Sequence, residues 1–100
     1  MVTHRSDSRK LVTLRVSYDR GVDVLHLATG KRADLEGEGR PDGIELDYAV
    51  DDGRPCAVTV FGYMRHGWIP RLRELAQIAG SHLSIDPLKI VRKIEKETGK

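Results

Sequence analysis

The sequence has one cysteine and no long apolar run, and each absence limits where the protein can work. A single thiol, Cys56, cannot form an internal disulfide. Residues 1–10 lack the apolar core of a secretory signal. No stretch approaches the roughly 20 apolar residues that span a bilayer. These features predict a cytoplasmic protein that does not enter a membrane.

Catalytic and metal-binding motifs are equally scarce. The four histidines do not form the i, i+4 pair of a helical zinc site, and there is neither a Cys-x-x-Cys pair nor a glycine-rich phosphate loop. The sequence therefore predicts no catalytic residue, no metal site and no cofactor. It favours a non-enzymatic protein, and a small hydrolase or metal-dependent enzyme ranks third among the functions we considered.

The remaining composition is that of an ordinary globular domain. The chain has 100 residues, of which 39% are hydrophobic and 32% charged, and such a chain can bury one modest core. Residues 1–10 are predicted to form a flexible leader, and residues 11–100 a single α+β domain. Within that domain, residues 11–61 form a β-hairpin module and residues 68–100 a helical tail.

Alternating apolar residues predict four strands, at about 11–18, 22–29, 43–50 and 55–61. Asp19-Arg20-Gly21 and Asp51-Asp52-Gly53 are turn sequences, because Asp accepts backbone hydrogen bonds and Gly tolerates positive φ. Asp23 is interpreted in the same way, as an acceptor for backbone donors across the first turn.

Two expectations concern the middle of the module. Residues 30–42 are rich in glycine and charge, which predicts a loop with a short edge strand around 33–36 as the alternative. In the third strand, Glu45 and Asp47 alternate with apolar residues and are expected to face solvent.

Helical periodicity begins after Gly62. Apolar residues recur at i, i+3, i+4 and i+7 over about 70–79, with Pro70 in the first turn and Gly80 as the C-cap. A second helix is predicted over about 86–98, between the N-cap Asp86 and Gly99. The predicted fold is therefore a small antiparallel β-meander of about four strands followed by two C-terminal helices.

Three segments together resemble a known family. They are Tyr18-Asp19-x-x-x-Asp23-x-Leu25-His26-Leu27, Gly43-Ile44-x-Leu46-Asp47-Tyr48 and Asp52-Gly53-Arg54. Their order and spacing are similar to those of small bacterial proteins classed as a domain of unknown function. The resemblance covers about residues 11–61 and implies a compact β-rich module without established catalytic residues. Because some members are encoded beside small toxin-like proteins, it also implies an antitoxin-like role.

The chain departs from that family pattern in two strands. His26 stands where an aromatic residue is usual, and Ala57 and Thr59 stand where Gly and Glu are often found. Residues 62–100 lie beyond the pattern and are expected to carry what is particular to this protein.

The leading functional hypothesis is a module that binds a partner protein. Three of the chain's five aromatic residues fall between positions 61 and 68, among arginines, as in many protein contact surfaces. The second helix has an apolar stripe that could enter a groove in a partner. The predicted contact residues are Tyr63, Arg65, Trp68, Leu88, Val91 and Ile94.

The alternative hypothesis is nucleic-acid binding. Residues 62–100 carry a net charge of +4, whereas residues 11–61 carry −4, and a basic surface neutralises phosphates. The predicted contacts are Arg65, Arg71, Arg73, Lys89, Arg92, Lys93 and Lys96.

Assembly is the last expectation. A short sheet has two open edges, and the second helix has an apolar stripe that one small core need not use. The sequence therefore predicts a homodimer, formed either through edge strands or through the helix at 86–98.

Overall fold

The first hairpin forms as the apolar alternation predicts. In a computed structural model, which describes residues 13–99, β1 (Leu14–Asp19) pairs antiparallel with β2 (Val24–Thr29). The β2 residues Leu25 and Leu27 are fully buried. The predicted leader lies outside the described residues.

The turn between β1 and β2 depends on two aspartates. The Asp19 carboxylate accepts a hydrogen bond from the Gly21 amide at 2.9 Å, so its predicted role as the turn's own acceptor is confirmed. The left-handed residue, however, is Asp23, with φ of 60°, and not Gly21. Asp can adopt this conformation because its short polar side chain hydrogen-bonds locally.

The segment predicted as a loop, with a short edge strand around 33–36 as the alternative, contains a fifth strand at the edge of the sheet. β3 (Leu35–Gly39) pairs antiparallel with β4 (Ile44–Ala49), and all five β3 residues are exposed. Backbone hydrogen bonds to β4, rather than burial, hold β3 in the sheet. Such a strand has no apolar alternation, which is why the sequence predicts four strands instead of five.

The second hairpin joins β4 to β5 (Pro55–Phe61). Gly53 has φ of 73°, and the Asp52 carboxylate accepts a hydrogen bond from the Arg54 amide at 3.0 Å. The turn predicted here is therefore confirmed. An irregularity between Asp47 and Tyr48 shifts the register of β4 against β5.

The strand order is β1-β2-β5-β4-β3, and every neighbouring pair is antiparallel. In a simple meander successive strands are neighbours, whereas here β2 lies beside β5. The central position suits β5, because four of its seven residues are buried, including Val58 and Val60. β1 and β3 remain as the two edges of the sheet.

The first helix is displaced from its predicted bounds. α1 (Leu72–Leu83) begins after Pro70, continues through Gly80, and ends at a left-handed Ser84. Gly80 is buried, and a Cβ there would lie 2.6 Å from the carbonyl oxygen of Ile85. The glycine therefore permits close approach of the chain and is not the C-cap.

The second helix matches its prediction. α2 (Pro87–Thr98) begins after Asp86, whose carboxylate accepts a hydrogen bond from the Leu88 amide at 3.0 Å. Gly99, with φ of 78°, ends it. Both caps were readable because capping depends on neighbouring residues alone.

One core joins the helices to the sheet, which confirms the α+β class. α1 packs against β5, and α2 packs against α1 and β1. The fully buried members of this core include Leu25, Leu27, Ile44, Val58, Val60, Leu75, Ile90 and Ile94. In the part of the chain that the structure describes, neither helix is long and apolar enough to cross a bilayer.

Candidate interaction site

Asp23 connects the β1–β2 turn to the loop that follows β5. Its carboxylate accepts hydrogen bonds from the Tyr18 hydroxyl at 2.7 Å and from the amides of Met64 and Arg65 at 2.8 and 3.0 Å. Burial alone would raise the pKa of Asp23, but these hydrogen bonds outweigh burial and lower the pKa below its ordinary value. Asp23 is thus an ionised anchor that joins its turn to Met64 and Arg65, which lie 41 and 42 residues further along the chain.

Three large apolar side chains are exposed around this anchor. Val22 is 61% exposed, Phe61 46% and Met64 40%. Val22 precedes Asp23, and Phe61 precedes Gly62, whose amide donates to the Asp23 carbonyl at 2.8 Å. We call Val22, Phe61 and Met64 the apolar patch. Single exposed apolar residues are normal. These three indicate a contact surface because each is next in the chain to Asp23, next to a residue bonded to it, or itself bonded to it.

Two of the three contact residues predicted just after β5 belong to the core instead. Tyr63 and Trp68 are each 1% exposed. The Tyr63 ring meets the Tyr18 ring edge-on, with centroids 5.5 Å apart, and the Arg71 guanidinium lies 4.4 Å over the Trp68 ring. This packing corrects the expectation that a partner contacts the two aromatics, whereas Arg65 remains exposed.

The apolar stripe predicted on α2 faces the protein's own core. Ile94 is fully buried, and Val91 packs partly buried against the same core. Leu88 is 50% exposed and lies off the buried side of the helix. Because Ile94 and Val91 are occupied within the chain, the helix-in-groove contact predicted through this stripe is corrected.

The basic residues predicted to meet nucleic acid have different surroundings. Arg71 is ion-paired with Glu74 at 2.8 Å and covers Trp68. Arg65 lies beside the apolar patch, and Arg73 is exposed on α1. Four cations lie on α2, and none forms an ion pair with another described residue. They are Lys89, Arg92, Lys93 and Lys96.

A polar network lies on the sheet face opposite the helices, which we call the outer face. His26 Nδ1 lies 3.0 Å from the Thr59 hydroxyl, and this hydroxyl donates to the Asp47 carboxylate at 2.8 Å. Asp47 is 1% exposed, so the prediction that it faces solvent is wrong. Burial, and then the charge of Arg15, lower the pKa of His26, which keeps the ring neutral at pH 7.

Glu45 lies beside Asp47 at this network, since both carboxyls surround the position that a Cβ of Gly37 would take. Asp47 Oδ1 is buried and has no conventional partner among the described residues. A hydrogen bond to Asp47, reinforced by burial, raises the pKa of Glu45 to about 7. When it is protonated, Glu45 can donate to Asp47, whereas two ionised carboxylates would repel each other. Gly37 makes room for the pair, because a Cβ there would lie 2.6 Å from Asp47 Oδ1.

Proton sharing is the chemistry that this network supports. The Thr59 hydroxyl is held between the Asp47 carboxylate and the His26 ring, which makes it a structural link. Within residues 13–99, no group of three His, Cys, Asp or Glu side chains is arranged to hold a metal ion. One signal was available in the sequence: Glu45 and Asp47 are two residues apart and therefore share a face of β4.

Comparison of the chain with protein-family models, with curated proteins and with solved structures finds no match. The resemblance of residues 11–61 to a family of unknown function therefore stays a hypothesis.

Proposed function

We propose that the protein is a non-enzymatic module that binds a partner protein through the apolar patch. The observation that carries the proposal is the exposure of Val22, Phe61 and Met64 around a turn anchored by Asp23. An anchored surface loses little conformational freedom on binding, which favours affinity. Arg65, exposed next to Met64, adds a residue type that is enriched at protein contacts.

The family resemblance supports a small toxin-like protein as the partner, and hence an antitoxin-like role. In this chain, two residues of the resembling motif, Tyr18 and Asp23, build the support of the patch through their 2.7 Å hydrogen bond. The motif is therefore explained as the scaffold of a contact surface. Residues on that scaffold, rather than the motif itself, would select the partner.

A site-specific crosslink tests the proposal. A photo-reactive benzoyl-phenylalanine at position 61 is compared with the same group at position 88, since Phe61 and Leu88 have similar exposures of 46% and 50% on different elements. In cells of the source organism, we expect position 61 to crosslink one protein and position 88 to leave it uncrosslinked. Equal crosslinking at both positions, or none at position 61, would contradict the proposal.

Nucleic-acid binding is the second candidate, and the α2 cations support it. They form no ion pair with another described residue, so their charge is available to phosphates. The test is a gel shift at low salt with Lys89→Gln/Arg92→Gln, against Lys31→Gln/Arg32→Gln as a control of equal charge. The candidate requires weaker binding in the first variant alone, and no shift of the parent protein would remove it.

A homodimer also remains a proposal, through a sheet edge. Two β3 strands paired about Gly37 would place Glu36 opposite Glu38, and like charges directly opposite are destabilising. β1 is therefore the better edge for self-pairing. Light scattering at micromolar concentration measures the mass, and a monomer would contradict the homodimer.

A further inference from the structure

One side of β3 has backbone groups that β4 does not use. The residues that flank β3 bond to β4: the Val50 amide donates to the Asp34 carbonyl at 2.9 Å, and the Arg40 amide donates to the Ile44 carbonyl at 2.7 Å. Alternate residues of an antiparallel strand bond to the same neighbour, so the even-numbered residues of β3 face β4. The odd-numbered residues direct their N–H and C=O groups away from the sheet. They are Leu35, Gly37 and Gly39.

The two glycines on this edge have different explanations. Gly37 makes room for the Glu45 and Asp47 carboxyls. Gly39 has no such reason, because a Cβ there would have nothing within 4 Å, and its φ is not left-handed. A glycine weakens a strand, and it often marks a place where another backbone approaches closely. The fold alone does not require glycine at position 39.

The charge of this edge indicates what could approach it. Asp34, Glu36 and Glu38 are exposed, and none forms an ion pair with another described residue. Glu36 and Glu38 lie on the face of β3 opposite that of the glycines, since successive side chains alternate. An approaching strand would meet two carboxylates on one face. On the other face it would meet the Glu45 and Asp47 carboxyls at Gly37 and open space at Gly39.

We propose that the β3 edge binds an extended segment of the partner protein as a sixth strand of the sheet. The segment carries Lys or Arg at alternate positions, opposite Glu36 and Glu38, and a bulky apolar or aromatic residue opposite Gly39, where there is open space. Main-chain hydrogen bonds supply the affinity, and the alternating side chains supply the specificity. The inference rests on the proposed function, in that the ligand is a protein.

The test uses the full chain and a defined probe, acetyl-Thr-Lys-Tyr-Lys-Val-Lys-Thr-amide. Amide exchange measured by NMR should slow at Leu35, Gly37 and Gly39 when the peptide is added. We expect a peptide with Glu in place of Lys to bind at least tenfold more weakly. Methylation of alternate backbone nitrogens in the probe should abolish the protection, because it removes the donors to the edge. Protection elsewhere, or equal binding of the two peptides, would overturn the proposal.

Two charge-matched variants locate the contact. Glu36→Gln/Glu38→Gln should weaken binding of the lysine peptide about fivefold, since each exposed pair contributes modestly. Glu95→Gln/Glu97→Gln removes two exposed acids from α2 and should leave affinity unchanged. Equal losses in both variants would mean general charge attraction and would refute the edge. Self-association of the parent protein would also refute the proposal if Glu36→Gln/Glu38→Gln strengthened it, because a second copy of the chain would then occupy β3.

The outcomes separate this inference from the proposed function. If the protein crosslinks a partner at position 61 but does not bind the peptide, the β3 contact is refuted and the apolar patch is supported. Peptide binding at β3 without any crosslink at position 61 would refute the patch.

Discussion

Replacing Asp23 with alanine should destabilise the protein far more than an ordinary surface substitution. The variant loses three hydrogen bonds to a carboxylate, one partly buried and two exposed, each contributing about 1 kcal/mol. It also places alanine at φ of 60°, which adds about 1 kcal/mol of backbone strain. The free energy of unfolding should therefore fall by about 4 kcal/mol, which corresponds to a Tm lower by about 15 °C or more.

Urea denaturation of Asp23→Ala and of a matched variant, Asp19→Ala, measures this difference. Asp19 belongs to the same hairpin but, within residues 13–99, its carboxylate accepts one hydrogen bond, from the Gly21 amide. Its replacement should therefore cost no more than about 1 kcal/mol. Tyr18→Phe should lower the free energy of unfolding of the parent protein by about 1 kcal/mol. In the Asp23→Ala background it should have little effect, because the hydrogen bond between Tyr18 and Asp23 is already absent.

Two results would refute the reasoning about Asp23. One is an Asp23→Ala loss as small as that of Asp19→Ala in a folded protein. The other concerns pH. The pKa of Asp23 is lowered in the folded chain, so its contribution is present above its ordinary pKa and is lost as the pH falls through the folded value. An Asp23→Ala variant that loses stability in acid as steeply as the parent would contradict the anchor.

Further predictions concern the outer face and two glycines. The pKa of Glu45 is raised to about 7, so the folded chain holds a proton that the unfolded chain releases. The free energy of unfolding should therefore fall by about 1–2 kcal/mol as the pH rises from about 5 to 8. Glu45→Gln should flatten this dependence in urea titrations, and an unchanged slope would count against the shared proton. Gly80→Ala should lower unfolding free energy by about 2 kcal/mol or more, since its Cβ would lie 2.6 Å from a backbone oxygen; a neutral result would mean that the helix junction can shift. Gly39→Ala, with nothing within 4 Å, should change thermal stability by less than about 0.5 kcal/mol, and a larger loss would show that the fold itself needs the glycine.

The elements that could be predicted are those whose cause lies within a few residues. The β4–β5 turn and the caps of α2 depend on Gly53, Asp86 and Gly99, each acting on its near neighbours. β3 could not be predicted in full because its partner supplies the backbone bonds and its own side chains are all exposed. The end of α1 was misplaced at Gly80, because a buried glycine inside a helix has the same local signature as a C-cap.

The candidate site was predictable to a smaller extent. Arg65 was identified and is exposed, but the aromatic and arginine pattern around it did not distinguish packing from contact. Tyr63 and Trp68 are core residues because they belong to the same buried cluster as the apolar residues of α1 and α2. The exposure of Val22 and Met64 follows from how the turn and the loop meet at Asp23, which no local pattern describes.

The sequence by itself determined the α+β class, both predicted hairpins and the capped second helix, because alternation, turn chemistry and capping are local properties of the chain. Tertiary structure alone decided the central place of β5, the burial of Asp47 against Thr59, and the role of Asp23 as an anchor for a loop 41 residues further along. These features depend on which distant segments pair. The local sequence around a carboxylate does not show whether the folded chain buries it. That depends on whether a distant segment supplies the hydroxyl or amide donors that it needs.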